Sequence, residues 1–257
     1  MSTVLLEKHA GYAIITLNRP DEMNALSRQL RQEFVETFSA CSVDETIRVV
    51  ILTGNGRAFC AGFDLKELAS STTDASEEAD NIIARAMEEF PGPIIGAING
   101  HAVTGGFEMA LACDILIASE DARFADTHAR VGILPGWGLS QKLPRLIGLS
   151  RAKEISFTGA PVFAQKALQW GLVNHVVPTE ELLPTAVKMA QDMCHCVPHL
   201  LPQYKALIDD GYSMHYRDAL AWEEQQAIAS AKQAMGSTIA KRREAVMNRG
   251  RSEQGRQ

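Results

Sequence analysis

The arrangement of apolar residues divides the chain into an early part that reads as strands and a late part that reads as helices. Residues 4–6 and 12–17 are apolar runs on either side of Ala10-Gly11, the pattern of two strands joined by a tight turn, and Asn18-Arg19-Pro20 stops the second run. Over residues 27–40 the spacing changes to Leu30, Phe34, Val35 and Phe38, which predicts a helix. Residues 49–53 form a short buried-type strand closed by Gly54-Asn55-Gly56, and residues 94–98 and 115–118 repeat that strand pattern. A Ser-, Thr- and Glu-rich stretch over 70–78 predicts a mobile loop. After it, Ala79, Ile82, Ile83, Ala86, Met87 and Phe90 mark one helical face that ends before Pro91, and Gly105-Gly106 opens a helix through Ala112.

Strand–turn–helix units with short connections over roughly the first 140 residues imply an α/β architecture. Beyond about Glu180 the strand signals give way to helical ones at residues 182–193, 200–208 and 219–234, with a basic stretch from Ser237. The expected organisation is a β-rich core over 1–195 and a helical region over 196–257. No fixed-period repeat or long low-complexity tract interrupts it.

Composition narrows the function classes. The 257 residues are 46% hydrophobic and 22% charged, as in an ordinary globular protein. A formal net charge of −6 argues against a protein built mainly to coat nucleic acid or an anionic membrane. Arg242, Arg243, Arg249, Arg251 and Arg256 gather near the C-terminus, where a solvated helix end explains them. No apolar run approaches the roughly eighteen residues of a membrane span, and Glu7, Lys8 and His9 break the segment where a signal peptide would lie. The chain ends Gly255-Arg256-Gln257 without a Ser-Lys-Leu address, so the cytoplasm is the expected setting. The odd set Cys41, Cys60, Cys113, Cys194 and Cys196 reads as reduced thiols. Cys194-x-Cys196 with His199 fits no standard zinc spacing and reads as a helix end running into Pro198.

Two turns carry candidate chemistry. In the first, Arg57-Ala58-Phe59-Cys60-Ala61-Gly62-Phe63-Asp64-Leu65-Lys66, small residues at Ala61 and Gly62 permit close backbone approach ahead of a helical segment. Unpartnered N–H groups at such a helix start attract an anion. A plain strand-to-helix loop explains the same residues. In the second, residues 94–108, a strand ends in a tight turn and Gly105 presents an N–H at the positive end of a helix dipole. Glu108 lies one turn into that helix, where a charge complementing the dipole is the simpler explanation.

Together, and at this separation, the two turns resemble those of the crotonase, or enoyl-CoA hydratase/isomerase, superfamily. Ile15-Thr16-Leu17-Asn18-Arg19-Pro20 with Asn24-Ala25-Leu26 is similar to the family's N-terminal signature. Residues 49–66 and 98–114 resemble its two oxyanion segments, and Leu134-Pro135-Gly136-Trp137-Gly138 and residues 164–177 its later landmarks. The resemblance implies a spiral of ββα units with a C-terminal helical region that covers the active site and builds a homotrimer or hexamer. It implies oxyanion donors at the Phe63 and Gly105 N–H groups, a catalytic glutamate at Glu108, and substrate or CoA contacts at Ala61, Lys66, Gly106 and Trp137. For Lys66 a surface ion pair, and for Trp137 a core position, are the alternatives.

An enolate-like species formed next to a thioester carbonyl is stabilised by such aligned donors, and a glutamate beside it can activate water. The expected reaction is hydration of a 2-enoyl-CoA, with the acyl-CoA as substrate, no cofactor or metal, and no nucleic acid or membrane partner. The chain departs from the pattern at His128, which stands where the hydratases carry their second glutamate. Three readings follow: His128 as substitute acid/base titrating near neutral pH, Asp126 reaching the site, or Glu108 supported only by water or the Thr127 hydroxyl. His128 as a buried packing residue is the fourth. Isomerisation, decarboxylation, thioester hydrolysis and a non-catalytic acyl-CoA- or RNA-binding role are the rival functions.

Overall fold

The computed structural model of the chain describes residues 2–70 and 81–233, with residues 242, 243 and 247. The expected loop at 70–78 falls outside them beyond Ser70, as do Ala79, Ala234 and most of the basic stretch from Ser237. In chain order the described elements are β1 (Val4–Lys8), β2 (Gly11–Leu17), a 3-10 turn (Pro20–Glu22), α1 (Arg28–Ser42), β3 (Ile47–Gly54), β4 (Ala58–Cys60), α2 (Leu65–Ser70), α3 (Ile82–Glu88), β5 (Ile94–Ile98), β6 (His101–Val103), α4 (Gly105–Ala112), β7 (Ile115–Ser119), β8 (Arg123–Ala125) and α5 (His128–Val131). There follow α6 (Leu139–Ile147), α7 (Leu149–Thr158), β9 (Val162–Phe163), α8 (Ala164–Gln169), β10 (His175–Val177), a second 3-10 turn (Thr179–Glu181), α9 (Leu182–Cys194), α10 (Leu200–Ser213) and α11 (Tyr216–Gln233).

The strands form two sheets. The larger has the order β1-β2-β3-β5-β7-β10 and the smaller β4-β6-β8-β9. Successive strand pairs β3/β4, β5/β6 and β7/β8 each contribute one strand to each sheet before the chain turns into helix. That alternation winds the chain into a spiral, in agreement with the α/β, ββα expectation. The larger sheet is parallel except at the β1/β2 hairpin.

Burial on both faces explains why its central strands read as unbroken apolar runs rather than alternating ones. Along β3, Val49 and Ile51 face α9, packing with Leu182, Ala186 and Ala190. Val50 and Leu52 face the opposite way, into the larger core that holds Phe34 and Phe38 of α1, Phe59 of β4 and Phe124 of β8. The Ser27 hydroxyl caps α1 by accepting from the Leu30 N–H at 3.2 Å, which satisfies one of the unpaired donors at its start.

The chain separates into two compact units, Met1–Pro202 and Gln203–Gln257. The first holds both sheets and all the predicted site residues. In the second, the remainder of α10 and α11 carry Tyr204, Ile208, Tyr212, Tyr216 and Leu220 exposed. Cys194 closes α9 as expected, and its thiol donates to the Gly11 carbonyl at 3.1 Å.

Candidate active site

Three neighbouring strands of the smaller sheet deliver the site. β4, β6 and β8 run parallel, so their C-terminal ends lie side by side. Phe63 comes just beyond Cys60 of β4, Gly105 just beyond Val103 of β6, and His128 just beyond Ala125 of β8.

The two glycine-bearing turns touch backbone to backbone. Gly62 has φ +86°, a conformation glycine adopts without a steric penalty, and a Cβ placed there would lie 2.9 Å from the Val103 carbonyl oxygen and 3.2 Å from the Gly105 nitrogen. A Cβ on Gly106 would lie 2.0 Å from the Cys60 carbonyl oxygen, so the missing side chain at Gly106 serves contact between the turns. Leu26 forms a parallel bridge to Phe63: its N–H donates to the Gly62 carbonyl at 2.8 Å, and its carbonyl accepts from the Asp64 N–H at 3.4 Å. Because backbone groups alternate along an extended segment, the Phe63 N–H points away from Leu26. Gly105 is the first residue of α4, where N–H groups lack intrahelical partners. Among the described residues neither the Phe63 nor the Gly105 N–H donates to a protein acceptor.

Thr104 aims the second donor. It has φ 53° and ψ −114°, and a β-branched residue held at positive φ costs on the order of 1–3 kcal/mol. The ψ angle of Thr104 sets the plane of the peptide that carries the Gly105 N–H. Two bonds hold it there: the Thr104 N–H donates to the Ala125 carbonyl at 2.9 Å, and the Thr104 and Thr127 hydroxyls share a hydrogen bond at 2.5 Å. Nothing in the residue pattern marks Thr104 for this role.

Glu108 is 2% exposed. Its Oε1 accepts the Trp137 N–H at 2.7 Å and the Leu139 N–H at 3.4 Å, while Oε2 faces His128 Nε2 at 3.4 Å. The carboxylate therefore does more than complement the α4 dipole. Trp137 is buried, with its indole 5.4 Å from the Phe63 ring between centroids; a Cβ on Gly105 would lie 3.6 Å from it. The Arg31 guanidinium lies over the Phe63 ring at 5.2 Å. Trp137 thus contributes through its backbone N–H as well as its ring, a part invisible to residue type. Ala61 is tied back to Met23 through its N–H at 3.0 Å, and Lys66 is exposed in the first turn of α2.

His128 is 4% exposed, with Nδ1 at 2.7 Å from Asp126 Oδ1. Asp126 Oδ1 also accepts the His128 backbone N–H at 3.1 Å. Asp126 is thus turned onto His128, and the Thr127 hydroxyl onto Thr104. Burial alone would push the His128 pKa down. Hydrogen bonds to Asp126 and Glu108, with the charges of both carboxylates, outweigh it and raise the pKa to about 9. The direction of the shift favours the protonated ring. Burial favours the protonated form of Asp126, but hydrogen bonds from the His128 ring, the Ser156 hydroxyl and the His128 N–H hold its pKa below the ordinary carboxylate value.

A buried carboxylate, a buried histidine ring and two backbone N–H groups are held at and beside these strand ends. The family model described as Enoyl-CoA hydratase/isomerase matches residues 7–245. The chain belongs to the enoyl-CoA hydratase/isomerase family. Among its relatives, a protein of Arabidopsis thaliana named probable enoyl-CoA hydratase 1, peroxisomal, is 41% identical over 244 residues, covering 95% of this chain and 92% of its own length. The short-chain-enoyl-CoA hydratase of Clostridium acetobutylicum is 36% identical over 252 residues, covering 95% and 97%. The crystal structure of an enoyl-CoA hydratase from Bacillus anthracis superposes with a TM-score of 0.83 at 38% identity, covering 87% of this chain and 88% of that one. The family match therefore spans both glycine-bearing turns and the His128 turn.

Proposed function

We propose that the chain hydrates 2-enoyl-CoA thioesters to 3-hydroxyacyl-CoA. The observation that carries this reading is the Glu108 carboxylate, held by the Trp137 N–H at 2.7 Å and facing the His128 imidazolium at 3.4 Å. It gives the site a base and an acid side by side. The thioester oxygen occupies the cradle of the Phe63 and Gly105 N–H groups. Glu108 takes a proton from water as the water oxygen bonds to the β-carbon, and negative charge builds on the thioester oxygen. His128 Nε2–H then protonates the α-carbon.

This chemistry requires neither a redox cofactor nor a metal. Ala61, Lys66, Gly106 and Trp137 line the acyl-CoA path, with the Trp137 ring limiting acyl size. Relatives named as hydratases support the reading at 36–41% identity over most of the chain. The exposed tyrosines and aliphatic residues of the second unit support assembly into homotrimers or hexamers, which light scattering tests. The five free cysteines suit a reducing compartment such as the cytoplasm, and β-oxidation is the class of pathway that uses such a step.

The test is incubation of purified protein with crotonyl-CoA and longer enoyl-CoAs, followed by mass spectrometry. Gain of one water at some chain length supports hydration. An unchanged mass with a moved double bond, loss of carbon dioxide, or free CoA would assign isomerisation, decarboxylation or thioester hydrolysis instead.

A further inference from the structure

We propose that Asp126 is a positioning residue. It grips the His128 ring through Nδ1, so that Nε2–H is presented opposite Glu108 and the Asp126–His128 pair acts as one neutral proton donor. The inference rests on the hydration reading for its reaction, while the grip itself is a matter of geometry. Asp126 Oδ1 lies 2.7 Å from His128 Nδ1, and both side chains are almost fully buried. The same oxygen accepts the His128 backbone N–H at 3.1 Å, so ring and main chain are held to one atom. An imidazole fixed at Nδ1 cannot rotate about χ2 without breaking that bond. Its other nitrogen is left 3.4 Å from Glu108 Oε2.

Charge accounting favours the pair. An aspartate and an imidazolium together carry no net charge and one transferable proton on Nε2, as a protonated carboxylic acid does. With Glu108 ionised, the buried set carries a single negative charge.

The groups acting on the ring can be named. Asp126 comes from its own turn and Glu108 from α4. From α7, Ser156 helps to lower the Asp126 pKa, while the Thr158 carbonyl takes the guanidinium of Arg130, the cation on the ring's own short helix. Both acidic partners raise the His128 pKa, in the same sense as the geometry.

The protons balance over a turnover. Water gives one proton to Glu108 and its oxygen to the β-carbon, and the α-carbon takes the Nε2 proton. The residues are left as a neutral Glu108, a neutral His128 still donating Nδ1–H, and an ionised Asp126. Transfer of the Glu108 proton to Nε2 across the 3.4 Å gap restores the starting state without drawing on solvent.

The experiment combines NMR titration of the His128 ring, assigned by the signal lost in His128→Gln, with pH profiles of kcat and kcat/KM for the wild type, Asp126→Asn and Glu108→Gln. In the wild type the ring should be doubly protonated at neutral pH and titrate well above the ordinary value of about 6.5. In Asp126→Asn the titration and the alkaline limb of kcat should both move down by at least about one pH unit, with kcat reduced about 10²-fold and KM nearly unchanged. Glu108→Gln should leave part of the elevation in place. The proposal is overturned if the wild-type ring titrates at or below about 6.5, a reading that stands even if Asp126→Asn does not fold. It is also overturned if Asp126→Asn leaves titration and alkaline limb unmoved, or if Glu108→Gln alone removes the whole elevation. Absence of hydration by the wild type defeats the reaction assigned above and leaves the NMR result to decide the grip.

Discussion

The proposed oxyanion cradle and the proposed acid/base group occupy adjacent strand ends, yet they are built by opposite means. The cradle is made of backbone. Its donors are the N–H groups of Phe63 and Gly105, and side chains matter there chiefly where they are missing, at Gly62 and Gly106. The acid/base group is made of side chains, Glu108, His128 and Asp126, locked to one another by charge. A backbone donor survives most substitutions at its own position but fails when a neighbour forces the chain apart. A side-chain acid survives movement of its neighbours less well than it survives a change in their identity, provided charge is conserved.

The largest effect expected from breaking this contrast is at Glu108. Glu108→Gln keeps an acceptor for the Trp137 and Leu139 N–H groups but removes the base, so steady-state hydration should fall by about 10³-fold with the fold intact by circular dichroism. Next comes the cradle, attacked through a residue that touches no substrate group with its side chain. Gly62→Ala combines an unfavourable φ with a 2.9 Å approach to the Val103 carbonyl. It should lower kcat/KM by about 10²-fold, as loss of one oxyanion donor does. Retention of full activity there would show that the two turns need not touch.

An effect on stability is pH-dependent. The His128 pKa rises from its ordinary value near 6.5 to about 9 on folding. The stability this adds is complete below about pH 6.5 and is lost as pH climbs through about 9, up to roughly 3 kcal/mol. Urea unfolding between pH 6 and 10 should show that decline, and His128→Gln should flatten it. The smallest effect is expected at the link between the two regions. Thr104→Val removes the hydroxyl bond to Thr127 while keeping side-chain shape, and should cost about 1 kcal/mol in thermal or urea unfolding.

Long elements were legible in the residue pattern because each presents a full period: α1 through Leu30, Phe34 and Phe38, α4 from Gly105 to Ala112, and the buried runs of β3 and β5. The smaller sheet was not. β4, β6, β8 and β9 span only two or three residues each, too few to show an alternation, and they are held by neighbours distant in sequence. The candidate site was legible where a glycine or a lone acid stands out, as at Gly62, Gly105 and Glu108. It was illegible where function passes through main chain or conformation. The Trp137 N–H that holds Glu108 and the positive φ of Thr104 have no signature in residue type. The Asp126–His128 contact depended on a turn geometry that two intervening peptide bonds leave open.

In the proposed reaction each of the three strand ends contributes a separate part: first donor, second donor, and proton source. They are sequence-remote segments sharing one parallel scaffold. In that reaction a substitution at His128 can change what is done to the α-carbon while Thr127, the residue before it, still holds the Thr104 turn of the cradle. The scaffold works like a lathe with a fixed chuck and an exchangeable tool, and the proposed tool in this chain is a histidine–aspartate pair.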